Sequence, residues 1–282
     1  MNRKKIEASF FRYLFAVVTY GIIFIFVYIL YVIFKRGFHS ISWSMISEEP
    51  KGGFYMGNGG GVLNAIVGSF YIATGATILA VIIGLPVVLL LNVHLVKYKK
   101  LVGSIRFLLD ILWGIPSIIY GAFAFVVMTW LHLQASLLAG IITVGFLIFP
   151  IFARAFDEVV RTTAFGLLEA SHSLGSNHTE ISYLIYFKRN LPGFITAFLL
   201  AFGRAIGDAA SVIFTAGYTD HVPMHLSDPA ATLPLSIFFQ LSSPIASVKE
   251  RAFASTLLLT IIILVISIIS RIIYSKIKRY AL

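Results

Sequence analysis

Cysteine is absent from this chain of 282 residues, and charged residues are scarce at 12%. The missing cysteine excludes disulfide bonds and thiolate metal sites. Soluble domains carry about 25% charged residues, so this scarcity of charge excludes an ordinary soluble protein. Apolar residues make up 59% of the chain. The composition therefore indicates a protein built for lipid.

Sequence motifs of nucleotide binding and hydrolysis are also missing. No G-x-x-x-x-G-K-[ST], G-x-S-x-G or H-E-x-x-H motif occurs, and the glycine cluster at Gly57–Gly61 lacks the lysine of a phosphate-binding loop. No basic run is interleaved with aromatic residues as in nucleic-acid-binding proteins. We therefore expect no enzyme activity, no cofactor, no metal and no nucleic acid. If ATP drives this protein, another subunit must bind it.

Long apolar stretches dominate what remains. A membrane-spanning helix requires about 20 apolar residues, and six stretches reach this length. They predict an all-α integral membrane protein with six transmembrane helices. Pro116 and Pro150 are expected to kink the third and fourth of them. The six stretches are Leu14–Phe34, Val62–Val93, Ile111–Leu131, Leu133–Ala153, Phe194–Ala216 and Ala252–Ser270.

Lysine and arginine are distributed unevenly between the segments that connect these spans. Sixteen of them fall on the side that holds both termini, and only Lys35, Arg36, Lys51, Lys249 and Arg251 fall on the other. By the positive-inside rule, both termini are cytoplasmic. The resulting division is a cytoplasmic N-terminus at 1–13, a transmembrane domain at 14–273 and a cytoplasmic C-terminus at 274–282. Within the domain lie a cytoplasmic loop at 154–193 and outer loops at 35–61 and 217–251.

The cytoplasmic loop is polar and contains helix signals. Leu167–Leu174 is predicted as a short helix, and Gly175 stands where a left-handed C-terminal cap is favoured. Asn177 and Glu180 have the spacing of a capping box for the next helix, and Pro192-Gly193 breaks that helix before span five. Two interpretations stay open. The short helix is either a knob that docks a partner or part of an amphipathic loop that packs on the spans.

Two opposite charges lie inside the fifth span. Arg204 and Asp208 are four residues apart, so a continuous helix would place them on one face. Gly203 and Gly207 flank them and permit close approach of another helix. One interpretation is a salt bridge that fixes packing. The other is a guanidinium that faces an anion, since its planar donors suit phosphate oxygens.

One further cluster is a candidate metal site only on paper. His221 and His225 have i, i+4 spacing in the last outer loop, with Asp220 and Asp228 nearby. Pro223 between the histidines argues against a helix there, and a polar surface loop is the simpler interpretation.

The short helix also carries a family motif. Glu169, Ala170, Ser171 and Gly175 form E-A-[A/S]-x-x-x-G, which resembles the EAA loop of ABC importer permeases. The resemblance implies that this loop inserts into a groove of an ATPase subunit. Phe187-Lys188 stands where the family usually has an L-P pair. This part of the family motif is therefore missing, and the local geometry of the loop is expected to differ. The later Leu191-Pro192-Gly193 is similar to the phosphate branch of the family.

Phosphate specificity is suggested by span five and its surroundings. The segment from Arg204 to Asp208 resembles R-A-x-G-E of the phosphate-specific permeases, with aspartate in place of glutamate. Phe214–Gly217 is similar to the A-type subunit of that branch, and further segments match in the right order along most of the chain. The resemblance implies a type I ABC importer permease fold, with Arg204 and Asp208 in the substrate pathway and Glu169, Ala170, Ser171 and Gly175 in the ATPase-coupling loop.

The family resemblance also implies partners. They are a sister permease that completes a heterodimeric pore, two cytoplasmic ATPase subunits and an extracytoplasmic phosphate-binding protein, in the plasma (inner) membrane of a bacterium or archaeon. Alternatives remain at this point. They are a permease for another oxyanion such as phosphonate, sulfate or molybdate, a stand-alone secondary transporter or channel, and a non-transporting scaffold that keeps the fold.

Overall fold

The computed structural model describes residues 3–51, 59–163 and 165–280. Over those ranges the chain is helical, and its β-structure is one isolated bridge between Pro50 and Gly60. The predicted all-α class is confirmed. The helices are α1 Arg3–Gly37, α2 Trp43–Ser47, α3 Leu63–Leu89, α4 Lys99–Gly114, α5 Ser117–Trp130, α6 Leu137–Arg161, α7 Phe165–Ser173, α8 His178–Glu180, α9 Leu191–Ile206, α10 Leu233–Ser242 and α11 Ala246–Tyr280.

Four described helices, α1, α3, α6 and α11, are long and apolar enough to cross a membrane. The predicted third span is instead a bent pair, because α4 and α5 meet at an angle of 95°. The bend lies at Pro116, and Ile115 before it is extended with ψ 129°. Proline disfavours a helical conformation in the residue before it, which explains the break. Pro150, by contrast, lies inside the continuous α6.

The predicted fifth span, Phe194–Ala216, is only partly helical. Its helix, α9, has 16 residues and ends at Ile206. A helix of that length rises about 24 Å, less than the roughly 30 Å of a bilayer core. The remainder of the predicted span forms turns. Counting the bent pair as one span gives five spans by length and composition, so the predicted number of six is not reproduced.

The core lies between α3 and α6. Small residues on α3, including Ala73, Ala76 and Ala80, are fully buried. Glycines on both helices bring them together: a Cβ on Gly145 would meet the Leu79 side chain at 2.6 Å, and one on Gly84 would meet Phe152 at 2.7 Å. Association of helices in lipid relies on such close packing because lipid tails are as apolar as leucine. Helix α9 packs against both α6 and α3, and also contacts α11.

Helix α1 lies outside this core. None of its membrane-spanning window is buried within the chain, against 61% for α6, and its large apolar side chains are exposed all round. It contacts α11 near Gly37, where a Cβ would lie 2.6 Å from the Phe253 carbonyl oxygen. An evenly apolar helix with so little protein around it is suited to contact with lipid.

The outer segment after α9 folds back over the start of α6. The backbone N–H of Leu137 donates to the Asp228 carbonyl at 2.7 Å, and that of Leu138 donates to Leu226 at 2.9 Å. Ser136 donates its N–H to Thr215 at 2.9 Å. These bonds satisfy N–H groups that lack intrahelical partners at a helix start. They also hold the turn at 208–216 in place beside α6.

Candidate substrate pathway and coupling helix

Arg204 and Asp208 are adjacent, as predicted, but the helix between them ends. Arg204 is in the last turn of α9, Gly207 is its C-terminal cap, and Asp208 lies beyond it. The Asp208 carboxylate accepts a hydrogen bond from the backbone N–H of Ser211 at 2.9 Å. An aspartate that bonds nearby backbone in this way competes with helix continuation. The expectation of a continuous helical face is therefore wrong, while the pairing itself is present.

The Asp208 carboxylate is buried and saturated with donors. Its side chain is 2% exposed. One oxygen accepts from Arg204 Nη1 at 2.8 Å, and the other accepts from both the N–H and the hydroxyl of Ser211. A buried carboxylate requires such compensation because an unpaired buried charge is costly. Asp208 therefore has two structural tasks: it forms the turn after α9 and orients Arg204.

The Arg204 guanidinium keeps donors to spare. Its side chain is 39% exposed, and within the described residues its one hydrogen bond is to Asp208. A guanidinium has five N–H donors in a planar fork, so most of them point away from Asp208. The pair as a whole is neutral. The Arg204–Asp208 pair is thus able to present several N–H groups to an anion, and it carries no excess charge when the anion is absent.

The face of α9 that carries Arg204 is largely uncovered by the residues that the structure describes. Leu200 is 52% exposed, and a Cβ on Gly203 would meet no atom within 4 Å. Gly207, on the same face, is exposed. Residues 200, 203, 204 and 207 have the i, i+3, i+4, i+7 spacing of one helix stripe. A polar and small-residue stripe in a membrane helix faces a cavity or another helix rather than lipid.

Helix α5 supports the turn from behind. A Cβ on Gly121 would lie 2.6 Å from the Ser211 carbonyl oxygen and 3.0 Å from its Cα. Any larger residue at 121 must therefore displace the backbone that hydrogen-bonds Asp208. The sequence contains Gly121 in the predicted third span, but its contact with residue 211 arises only in the tertiary structure.

The residues predicted for the coupling loop lie in a short helix or directly after it, as expected. Glu169, Ala170 and Ser171 lie in α7, where Glu169 and Ala170 are exposed and Ser171 is buried. Gly175 follows the helix with φ +81°. The Ser176 N–H donates to the Ser171 carbonyl at 3.1 Å, which is the six-to-one bond of a Schellman cap. The predicted glycine C-cap is therefore confirmed.

Beyond Gly175 the chain begins a second capped helix, α8. Leu174 is 87% exposed, an unusual position for a leucine outside lipid. Asn177 and Glu180 form the predicted capping box, with both reciprocal bonds at 2.9 Å. A π-helix at Ile181–Lys188 follows. The exposed α7 with an exposed Leu174 at its end presents a compact surface that a partner groove can receive.

An ion-pair cluster that the sequence did not predict lies at the end of α6. The fully buried Asp157 accepts from Arg106 Nε at 2.8 Å and Nη2 at 2.9 Å, from Asn92 Nδ2 at 2.7 Å and from Arg154 Nη1 at 3.2 Å. Arg154 also pairs with Asp110. The cluster joins the end of the α3 segment, α4 and α6. One signal was available: Asp157 lies on the same face as the apolar Phe156 and Val160.

The outer-loop histidines do not form a metal site. His221 Nδ1 lies 3.2 Å from Glu49, and residues 3–51, 59–163 and 165–280 contain no metal-competent group of three His, Cys, Asp or Glu side chains. Asp228 instead accepts the backbone N–H groups of Met224 and His225. The hydrogen bond from His225, followed by that from Met224, lowers the pKa of Asp228. The site is an ordinary capped turn.

Comparison with known proteins places the chain among transport components. Residues 84–279 match the family described as the binding-protein-dependent transport system inner membrane component. The chain is similar to the phosphate transport system permease protein PstA of Yersinia pestis, with 30% identity over 223 residues, 78% of this chain and 74% of that protein. It is 29% identical over 252 residues to PstA of Pasteurella multocida strain Pm70, with 88% of each chain covered.

A solved structure agrees with this placement at the level of fold. An inward-facing structure of the MetNI methionine ABC transporter has a TM-score of 0.64 and 20% identity, and covers 76% of this chain and 95% of that chain. The predicted fold of a type I ABC importer permease is confirmed.

Proposed function

Because this chain belongs to the family of inner membrane components of binding-protein-dependent transport systems, we propose that it is the permease subunit of an ATP-driven importer of inorganic phosphate. One observation carries the proposal: Arg204, held by its buried partner Asp208, is 39% exposed on a face of α9 that no described residue covers at Gly203. The relatives named as phosphate permeases support the same substrate. The chain is a transport component and not an enzyme.

The second half of the pore is supplied by a sister permease. The stripe of Leu200, Gly203, Arg204 and Gly207 is uncovered in this chain, and small residues there allow another helix to approach. A pathway between two permeases would place Arg204 at its wall. A charge at such a position is tolerated because it faces water or a partner rather than lipid.

ATPase subunits dock on the exposed helix α7. Glu169 and Leu174 are exposed, and the glycine cap at Gly175 ends the helix sharply. Two cytoplasmic ATPase subunits, one for each permease, would receive these helices. An extracytoplasmic phosphate-binding protein would deliver the substrate from the other side. We place the protein in the plasma membrane with both termini cytoplasmic, on the distribution of Lys and Arg.

Transport follows from rigid-body movement of these parts. Phosphate enters the outward-open pore, and the Arg204 N–H groups that Asp208 leaves unused bind its oxygens. Closure of the ATPase pair on ATP moves α7, and the movement passes through the end of α6 to the helices around the pore. The anion leaves on the cytoplasmic side because the site no longer surrounds it. Arg204 and Asp208 hold and orient the substrate, and no bond in it changes.

Uptake of labelled phosphate into vesicles that contain the four-component complex tests this function. We expect uptake that depends on ATP and on the binding protein, with arsenate as the strongest competitor. Stronger competition by sulfate, molybdate or phosphonate would assign a different oxyanion. Uptake by this chain alone would instead make it a secondary transporter, and the absence of any transport by the assembled complex would leave a scaffold.

A further inference from the structure

A basic cleft is formed by helices other than α7 and α9. A cleft of about 520 Å³ lies where the end of α1 meets the start of α11. We call it the outer cleft, and it is separate from Arg204 and from the coupling helix. Its lining residues are Lys35, Arg36, His39 and Ser40 on one side and Ala246, Lys249, Glu250 and Phe253 on the other.

The cations of the outer cleft lack an anionic partner. Lys35, Arg36 and Lys249 have no ion pair among the residues that the structure describes, and Glu250 is the single carboxylate in the lining. Lys51, elsewhere in the outer loops, is paired with Glu48 at 2.6 Å. Like charges gathered in a cleft repel one another. An anion from outside the chain would relieve this repulsion.

Topology makes this gathering unexpected. On the proposed orientation, only five Lys and Arg residues lie on the outer side, where the positive-inside rule predicts few of them. Three of the five line this one cleft. Arg251 lines a different and much smaller cleft beside Gly60 and Gln240. The rule explains the scarcity of outer basic residues but not their concentration at one place.

The cleft is built by close helix packing. Gly37 lets α1 approach α11, since a Cβ there would lie 2.6 Å from the Phe253 carbonyl oxygen and 2.9 Å from the Leu257 Cβ. The Arg36 guanidinium lies over the Phe253 ring, 5.0 Å from its centroid. A cation at this distance from a ring is attracted by the ring face, which holds the Arg36 guanidinium beside the cleft.

Two exposed aromatic side chains lie next to the α1 end of the cleft. The rings of Phe34 and Phe38 stack with centroids 5.3 Å apart, and both side chains are more than half exposed. Cations gathered between two helices suit a phosphate-bearing ligand, because phosphate oxygens accept charge-assisted hydrogen bonds from lysine and arginine. We propose that the outer cleft binds a phosphate group, either that of an anionic phospholipid in the outer leaflet or that of inorganic phosphate.

Two double variants with equal loss of charge test the proposal. Arg36→Gln with Lys249→Gln empties the cleft of two cations, whereas Arg251→Gln with Lys51→Gln removes one arginine and one lysine from the same side of the membrane outside it. Native mass spectrometry of the assembled complex measures retained phosphatidylglycerol, with phosphatidylcholine as the neutral reference. Labelled phosphate binding is measured separately in uncharged lipid without ATP.

We expect the cleft variant to weaken one of these two interactions by about thirtyfold, the loss that two basic contacts with an anionic lipid surface carry. Loss of phosphatidylglycerol identifies the lipid as the source, and loss of inorganic phosphate identifies the free anion. The reference double variant, Arg251→Gln with Lys51→Gln, should bind both phosphate ligands within about twofold of the unmodified complex. The single Lys249→Gln variant gives an intermediate effect and guards against misassembly of the double variant.

Equal binding by the two double variants would overturn the proposal. So would loss of binding-protein docking alone with both phosphate ligands retained, because the cleft would then be a protein-docking surface. The measurements require assembly but no transport. A complex that fails to import phosphate, which would refute the proposed function, still reports on the outer cleft.

Discussion

Asp208 and Asp157 show how two buried carboxylates serve different tasks in one membrane protein. Asp208 is paired with one arginine, Arg204, whose side chain is 39% exposed. Asp157 is enclosed by two arginines and an asparagine. In the first arrangement Arg204 makes one hydrogen bond and keeps its other donors for a ligand. In the second, Arg106 makes three hydrogen bonds and Arg154 makes two, all within the cluster.

Arg204→Gln is expected to reduce phosphate uptake at least tenfold, because glutamine lacks the charge and the planar fork that bind an anion. The complex should still assemble, since Asp208 keeps its bonds from Ser211. Vesicle uptake and gel filtration measure the two properties. Arg12→Gln, an exposed position on α1, serves as the matched control. Normal uptake by Arg204→Gln would remove this residue from the pathway.

Asp157→Asn is expected to destabilise the complex by about 3–5 kcal/mol, because it leaves the buried side of Arg106 without its counter-charge. Thermal unfolding of the purified complex in detergent measures the effect. Glu158→Gln is the matched control, because Glu158 is the next residue along α6 and is exposed. Its carboxylate forms a surface ion pair with Arg161 at 3.7 Å, so we expect the substitution to change the free energy of unfolding by less than about 1 kcal/mol. Equal melting of the two variants would contradict the structural role of the cluster.

Gly121→Ala tests the support behind the substrate turn. The new methyl group would collide with the Ser211 backbone, so the turn that holds Asp208 must shift. We expect uptake to fall several-fold while ATPase docking persists. Gly103→Ala, where a Cβ meets nothing within 4 Å, should leave uptake unchanged. Unaltered uptake in Gly121→Ala would show that the turn tolerates displacement.

Among the helices, α6 connects the most features. Its start carries the outer segment, its middle packs on α3 and α9, and its last turns hold Asp157 just before α7 begins. The predicted coupling loop began at Arg154, yet residues 154–161 continue α6. The segment that precedes α7 is therefore a long and mostly buried helix as far as Arg161, which under the proposed function suits transmission of force from α7.

Gly175→Ala tests the cap that ends α7. Because φ at Gly175 is +81°, a side chain there costs about 1–2 kcal/mol, and the short helix should fray or extend. Gly166→Ala is the control in the same loop, since both positions have open space around a Cβ but only Gly175 has a positive φ. We expect ATP hydrolysis without matching uptake in Gly175→Ala alone. Fully coupled transport by this variant would refute the coupling role of the cap.

The whole chain has a buried centre and two incomplete surfaces. Helices α3 and α6 form the centre, α1 contacts α11 near Gly37 but has no buried residue in its apolar window, and no described residue lies over Gly203 in the Arg204 stripe of α9. A second permease against α9 would complete the pathway and bury the small residues of the stripe. The absence of cysteine makes this arrangement convenient to test, because a single introduced thiol is the only one in the chain.

Gly203→Cys, labelled with a maleimide-benzophenone reagent, is expected to crosslink this chain to the sister permease on illumination. Gly103→Cys provides the same chemistry at an exposed position on α4. Immunoblots with antibodies to each permease identify the adduct. A homodimeric adduct would replace the proposed heterodimer, and the same adduct from Gly103→Cys would show that the reaction is not specific to the α9 face.

Local sequence determined much of this protein. Apolar length and the scarcity of charge specified a helical membrane protein, Pro116 marked the break between α4 and α5, and Gly175 and Asn177 marked the caps around the coupling helix. These features depend on residues a few positions apart, so their physical cause is present in the sequence itself. The EAA-like segment similarly identified the exposed helix α7.

Tertiary contacts decided the rest. Asp157 meets Arg106 across 51 residues, and Gly121 meets the turn after α9, so neither partner is visible from local pattern. The apolar run Phe194–Ala216 is predicted as one helix because hydropathy does not show where a helix ends. In the structure α9 ends at Ile206, and Asp208 accepts a hydrogen bond from the backbone of the turn that follows. The outer cleft likewise required α1 and α11, at opposite ends of the chain, to meet at Gly37. Long-range packing, rather than composition, determines which charged side chains form ion pairs and which remain free to bind a ligand.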